Sequence, residues 1–302
     1  MSLDLLKKAD MVLQELTDNG GVLVPEQGNK FVEELIDQPT ILKKARTITM
    51  DRPQMEINVL GFGSRLLHAA TENVAPTDAQ RSKPTTRRVT LNTKEFIAEV
   101  NLPYTVLEDN IERGTLESTL LRLLAQYLSR DIEELVLRGD TTIDPAVDDF
   151  LYKLNGFPKR ITHNVVDATS TGITEATFNN AILALADKYK RDLGSLRFFV
   201  PTPAEQAFRL RLAGRQTIGG DAWLTGAAPI SCLGVGIEKA TFLPPGVGML
   251  VDPFNLIIGI QRQVTIESFR DIRARQMIYV CTLRMDINIE TELACVKITG
   301  LT

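Results

Sequence analysis

Cysteine is scarce in this chain, with Cys232, Cys281 and Cys295 the three among 302 residues. They are odd in number, far apart and set among apolar neighbours. That pattern excludes a disulfide framework and a paired-cysteine zinc site, and predicts buried free thiols in a reducing compartment. Histidine is scarcer still, with His68 and His163 the only two. A Ser/His/Asp or Cys/His triad must use one of them, and neither stands in a signature. There is no GxxxxGK[ST], no GxGxxG after a strand, no HExxH and no GxSxG. The glycine pairs at 61/63, 234/236 and 246/248 therefore read as turns or kinks rather than phosphate cradles. Aromatics make up 6% of the chain, and no basic patch interleaves with them, which argues against a platform for single-stranded nucleic acid. A basic field is missing too, since 34 Lys and Arg stand against 38 Asp and Glu for a net charge of −4. Nothing global holds a polyanion by counterion release. No apolar run reaches membrane-spanning length. The first leucines are interrupted by Asp4, Lys7, Lys8 and Asp10, so the apolar core of a signal peptide is absent. The acidic pairs Glu133-Glu134 and Asp148-Asp149 read as solvated surface. The expectation is a protein with no catalytic residue, no cofactor and no metal site.

What is present is a globular composition, 44% hydrophobic and 24% charged, long enough for one large domain or two of average size. There is no internal repeat and no low-complexity tract. The stretch that organises the rest is TLESTLLRLLAQYLSRDIEELVLR, residues 115–138, which reads as one helix. Thr115 suits an N-cap, Arg138 the last turn, and Gly139 a position just past the end. Leu116, Leu120, Leu124, Leu128, Ile132 and Leu135 recur at helical spacing, while Arg122, Gln126, Arg130 and Glu133 fall on the other side. At about 1.5 Å per residue the helix spans roughly 36 Å, a beam wide enough to cross a sheet.

Before it, residues 2–17 and about 26–37 read as short helices separated by Asn19-Gly20-Gly21, the first detached enough to be an arm. Two alternating runs, ARTITMDRPQMEINVLG and RRVTLNTKEFIAEVNLP, then flank a Gly/Ser/Thr/Pro-rich tip, which predicts a long two-stranded hairpin. A lone hairpin is marginal in water, so it must lie on its own body or on another copy. Charge favours the second reading. Residues 61–90 carry Arg65, Arg81, Lys83, Arg87 and Arg88 against Glu72 and Asp78, a net of +3. Residues 108–140, with Glu117, Asp131, Glu133 and Glu134 among eight acids against four arginines, carry a net of −4. Opposite potentials suit a hairpin lying over a neighbour's long helix, where each exposed pair is weak but the set fixes register and encounter rate.

After Gly139 the pattern becomes that of a second unit. A helix is expected over 174–191, a buried strand in LRFFVPT, and a helix over 203–213. A glycine-rich loop over 214–230 holds the single tryptophan, Trp223. Strands follow at 233–242, 247–251, 256–261 and 264–269, and two last strands at MIYVCTLRMDINIE and LACVKITG.

The order of these parts resembles a tailed-bacteriophage major capsid protein of the Hong Kong 97-type fold. The resemblance rests on GGVLVPEQGNKFVEELIDQPTILKKARTITM, on KEFIAEVNLPYTVLEDN before the long helix with RGD closing it, on GFPKRI, and on MLVDPFNLIIGIQRQVTIES. It implies an α+β chain with an N-terminal arm (1–25), a peripheral domain beginning at 26–49, and an extended loop hairpin (50–92). The peripheral domain would continue over 93–159 around the spine helix 115–138, with an axial domain at 160–262 and peripheral return strands at 263–302. It implies copies that self-assemble into hexamers and pentamers of an icosahedral head around double-stranded DNA, in a virion built in the host cytoplasm. DNA would be enclosed without sequence-specific binding, and no membrane would be involved. A separate scaffolding protein, a portal and decoration proteins are the further partners it implies, and Trp223 would sit near a five- or six-fold axis. Some members weld subunits through Lys–Asn bonds, and Lys83 is the lysine placed to try. The alternatives are an encapsulin-type nanocompartment shell, which shares the fold, an α+β enzyme with a deep pocket among residues 160–262, and a nucleic-acid-binding protein.

Overall fold

The computed structural model describes residues 40–62, 66–69, 75, 77, 78, 81, 84–109, 116–214 and 229–301. The expected arm, both N-terminal helices, the Thr115 cap and most of the 214–230 loop lie outside them.

Three sheets carry the described chain. Strands β1 (Arg46–Thr49), β4 (Lys94–Pro103), β10 (Leu256–Asp271) and β11 (Gln276–Ile289) form a four-stranded sheet in the order β1-β10-β11-β4. Only β1 runs parallel to its partner. Strands β2 (Gln54–Phe62) and β3 (Pro84–Asn92) make the expected antiparallel ribbon, from Gln54 opposite Asn92 to Phe62 opposite Pro84. The third sheet has six strands: β5 (Val165–Asp167), β6 (Arg197–Val200), β7 (Ser231–Cys232), β8 (Val235–Lys239), β9 (Gly246–Val251) and β12 (Val296–Leu301). The helices are α1 (Tyr104–Asp109), α2 (Leu116–Arg138), α3 (Phe157–Arg160), α4 (Glu175–Ala184) and α5 (Thr202–Ala213).

Helix α2 is the expected beam. Gly139, past its end, does not adopt the left-handed conformation of a glycine cap. Gly139 continues the helical ladder, its N–H bonding Leu135 O at 2.9 Å, and Gly156 N–H bonds back to Gly139 O at 2.7 Å. A Cβ on Gly139 would lie 2.4 Å from Leu154 O, so glycine is required there by close backbone approach. Helix α4 opens on Thr174, whose side chain accepts from Thr177 N–H at 3.3 Å, a cap of about 1 kcal/mol. It ends at Ala184, short of the expected Arg191.

Strand β6 explains why LRFFVPT is apolar throughout. Phe198 faces a core under α4 and α5, where it meets Phe178 edge-on at 4.7 Å, and Phe178 meets Phe208 at 4.9 Å. Phe199 points the other way, into a second core with Val136, Leu137, Phe157, Met249 and Met285. That second core joins the end of α2, the six-stranded sheet and the four-stranded sheet.

Three expectations are corrected. Residues 263–302 do not all return to the first sheet: β12 pairs with β5 and β9 in the six-stranded sheet. Its alternation marks it as a strand, but only the apolar surface around Phe178 decides which sheet takes Val296, Ile298 and Leu301. The first sheet's return begins at Leu256 rather than 263. The two strands expected at 256–261 and 264–269 are one strand of 16 residues, and the polar break between them is a register shift around Arg262.

Candidate contact surfaces

The ribbon is rooted on its own subunit. Met55, Ile57 and Leu91 pack over Met50 and Ile257. The fit is tight, since a Cβ on Gly259 would meet Met50 Sδ at 2.7 Å and Leu91 Cδ1 at 2.9 Å. Polar contacts then step outward along β11 and past its end. Asn92 N–H donates to Asp286 Oδ2 at 2.6 Å, and Asn288 Nδ2 donates to Thr90 O at 2.8 Å. Arg87 donates to Glu290 O and, at 2.9 Å, to Thr291 Oγ1. Beyond Arg87 the ribbon offers apolar surface to solvent. Leu60 is 73% exposed, Phe62 57% and Leu67 84%. Leu60 and Phe62 share the ribbon face opposite Met55 and Ile57, by the two-residue period of a strand.

Asp286 is the polar pivot of the root. Burial pushes its carboxyl above the ordinary range, and the Asn92 N–H and the Arg160 guanidinium, 3.5 Å away, hold it down in part. Asp140, at the end of α2, goes the other way. Partial burial raises it, but hydrogen bonds from Lys159 (2.8 Å) and Thr142 (2.7 Å) outweigh that and bring it down to about 2.

The second surface is a groove of about 260 Å³ bounded by α2, strands β4 and β11, and the segment 149–153. Leu128, Ile132, Phe150 and Leu283 line it, with Asp131 and Asp149 among its polar groups. Burial raises the Asp131 carboxyl, Arg130 lowers it, and Glu134 raises it further. The expected enzyme pocket would have lain among residues 160–262, whereas this groove sits on the other sheet. Among the described residues no cluster of three or more His, Cys, Asp or Glu is arranged for a metal ion. No helix among them is long and apolar enough to cross a membrane. The three cysteines are buried, and burial pushes the Cys295 thiol up to about 12, where it is unreactive.

The contact residues expected from sequence are not one cluster. Arg65, Lys83 and Trp223 lie outside the described residues, as does the side chain of Glu117 in the first turn of α2. Arg81 is exposed and bonds Asp78 at 2.9 Å. Arg88 pairs with Glu56 across the ribbon at 3.5 Å. Arg87 is turned toward its own subunit, as described. Glu134 bonds Arg138 one turn on at 2.8 Å. Glu133 is corrected outright. It is 2% exposed, not solvated, and its carboxylate accepts Thr40 N–H at 2.8 Å and Ile41 N–H at 3.2 Å. Sequence reasoning passed over Ile97, which is 71% exposed on β4. Its signal was present: Phe96-Ile97 puts two large apolar residues side by side in an otherwise alternating strand.

No family model matches the chain. Among curated proteins it is 39% identical over 307 residues to the putative prophage capsid protein YqbE of Bacillus subtilis (strain 168), covering 98% of this chain and 97% of that one. Among solved structures it is similar to the capsid of a native GTA particle, with a TM-score of 0.70, 14% identity, and coverage of 95% of this chain and 98% of that one. It is also similar to a chain of the satellite phage P4 procapsid that includes the size determination (Sid) protein, with a TM-score of 0.64, 13% identity, and coverage of 96% and 98%. A chain from Microbacterium phage Oxtober96 matches with a TM-score of 0.61 and 15% identity over 96% of this chain and 99% of that one.

Proposed function

This chain belongs to the tailed-phage major capsid proteins of the Hong Kong 97-type fold, and from that premise we propose that its copies assemble as hexamers and pentamers of an icosahedral head around double-stranded DNA. Each copy is completed by its neighbours. One observation carries this reading: the ribbon is rooted on its own sheet, yet beyond Arg87 it holds Leu60, Phe62 and Leu67 out in solvent. A monomer gains nothing from such a projection, and edge strands of this kind need covering. A sister copy supplies the cover. Acidic net charge suits a container that does not grip its contents. Residues 50–92 act as the extended loop, the sheet around α2 as the peripheral domain, and the six-stranded sheet as the axial domain. A separate scaffolding protein, a portal and decoration proteins complete the reading. It places assembly in the host cytoplasm.

An encapsulin-type shell shares this fold, but the relative at 39% identity is a prophage capsid protein, which favours the phage head. Electron microscopy of the purified chain, and of particles from cells expressing it, should show capsomers or shells. A strictly monomeric species in both preparations overturns the proposal.

A further inference from the structure

We propose that Arg160 is the residue that seats the ribbon on its own subunit: its guanidinium, carried on α3 from the end of α2, is the countercharge that lets Asp286 and Asn288 of β11 hold the backbone of β3 and so fixes where the ribbon points. The device lies within one subunit and is independent of what the copies enclose.

The seat is three residues long. Leu91 is fully buried against Ile257 and over Gly259. Its two chain neighbours are held by their backbone. Asn92 N–H donates to Asp286 Oδ2 at 2.6 Å, and Thr90 O accepts from Asn288 Nδ2 at 2.8 Å. Asp286 and Asn288 alternate onto one face of β11, where they stand opposite Gly259 and Ile257 of β10. Ile287, between them, faces the second core. Apolar burial has no direction, so the Leu91 contact alone leaves the ribbon free to tilt. The two hydrogen bonds are directional, and they set the angle at which β3 meets the sheet.

Both holders meet one cation. Arg160 Nη2 lies 3.5 Å from Asp286 Oδ1, and its Nη1 donates to Asn288 Oδ1 at 3.4 Å. Its Nε donates to Asn155 O at 2.9 Å, which orients the guanidinium. Asp286 is 5% exposed, and the Asn92 N–H, the Ile287 N–H and Arg160 that meet its carboxyl are all donors, so these contacts call for the ionised form. Burial opposes that charge and pushes the carboxyl above the ordinary range. Lys94 on β4 is the second cation that lowers it. Facing it, β10 presents Gly259 and β3 presents Asn92, neither of them charged, and along β11 Arg284 and Glu290 are engaged by Glu95 and Arg46. A buried charge that loses its partner is strongly unfavourable, and the site must then open to water or take up a proton. Arg160 stands on neither the ribbon nor the sheet beneath it. Helix α3 is tied to the end of α2 by Gly156 N–H on Gly139 O at 2.7 Å and by Lys159 on Asp140 at 2.8 Å. A shift of that end of α2 relative to β11 carries the countercharge away, so the seat of the ribbon answers to the position of the long helix.

Hydrogen exchange on the full chain tests this. Arg160→Met should speed exchange across residues 90–92 roughly tenfold or more at about pH 7, while β6 in the six-stranded sheet stays as protected as in the parent. Two changes should reverse that loss. Lowering the pH to about 4.5 should reseat the ribbon of Arg160→Met relative to the parent at the same pH, because a carboxyl raised by burial takes up a proton there and the protonated form suits the buried site. Adding Asp286→Asn to Arg160→Met should restore protection at neutral pH, because the amide needs no countercharge and its oxygen still accepts the Asn92 N–H. Unchanged exchange at the root of Arg160→Met overturns the proposal. A loss that neither acid nor Asp286→Asn recovers, whether confined to the root or spread through the chain, overturns it as well, because Arg160 then acts by packing and not by charge.

Discussion

Glu133 holds two parts of the chain together with one carboxylate. It lies on the polar side of α2 by spacing, yet it is buried because the chain at Thr40 and Ile41 arrives with two backbone N–H groups that need acceptors. Hydrogen bonds to a charged group are worth about 1.5–3 kcal/mol, and a buried donor left unpaired costs a similar amount. Glu133→Ala should therefore destabilise the subunit by about 2–4 kcal/mol in urea unfolding, with Glu133→Gln milder because one oxygen remains. A loss below about 0.5 kcal/mol, the usual bound for a surface substitution, would remove this role.

Asp140 gives a pH signature at the same scale. Its carboxyl is held down to about 2 in the folded chain, against an ordinary 3.8. A depressed acid stabilises the folded state above its unfolded pKa, and the contribution is lost as pH falls through the folded value. Asp140→Asn should lower stability at neutral pH and flatten the acid limb between about pH 4 and about pH 2, read as melting temperature against pH. An acid limb identical to that of the parent would contradict the Lys159 and Thr142 contacts as its cause.

Among the elements, the ribbon divides into a root and a reach. The root buries Leu91 and partly buries Ile57 and Met55 over Ile257, so it belongs to the subunit's own core. The reach begins past the Val59–Arg87 pair. Replacing residues 60–86 with Asn-Gly joins that pair by a two-residue turn whose twist suits a hairpin. The shortened chain should keep its melting temperature within about 4 °C, a change of under about 1 kcal/mol for a chain of this size, and lose stable particles. Unfolding of the isolated subunit would show that the reach stabilises its own body. Helix α2 divides similarly: Glu133 and Leu135–Leu137 are buried, while the described side chains over 119–132 are exposed or half-buried.

For the whole molecule, the two sheets are one folding unit rather than two beads. Phe198 and Phe199 are adjacent, and each serves a different core. Phe199→Ala opens the core shared between the sheets and should cost about 3–5 kcal/mol. Calorimetry should show a single transition that moves as a whole. Separate transitions, with one unmoved, would mean the sheets unfold independently. On the shell reading proposed above, the net +3 over 61–90 and the net −4 over 108–140 on another copy should make assembly weaken as salt rises, because such charges act through solvent over a Debye length of about 10 Å at 0.1 M. Light scattering that rises equally fast at low and high salt would argue against that attraction.

The sequence by itself determined what is local and periodic. Spacing drew α2 nearly to its ends, alternation drew the ribbon, and the lone thiols among apolar residues were legible as buried. It also carried the tip's charge, because charge is a count and needs no coordinates. Only the tertiary structure decided what depends on distant partners. It put β12 in the six-stranded sheet, turned Glu133 inward, and set Arg87 on its own subunit's Glu290 and Thr291. It brought β4 and β11 beside α2, where Ile97 and Asp131 line one groove. A periodic pattern says which face of an element is apolar. Which other surface meets that face depends on how the whole chain closes, and a single sequence does not encode that locally.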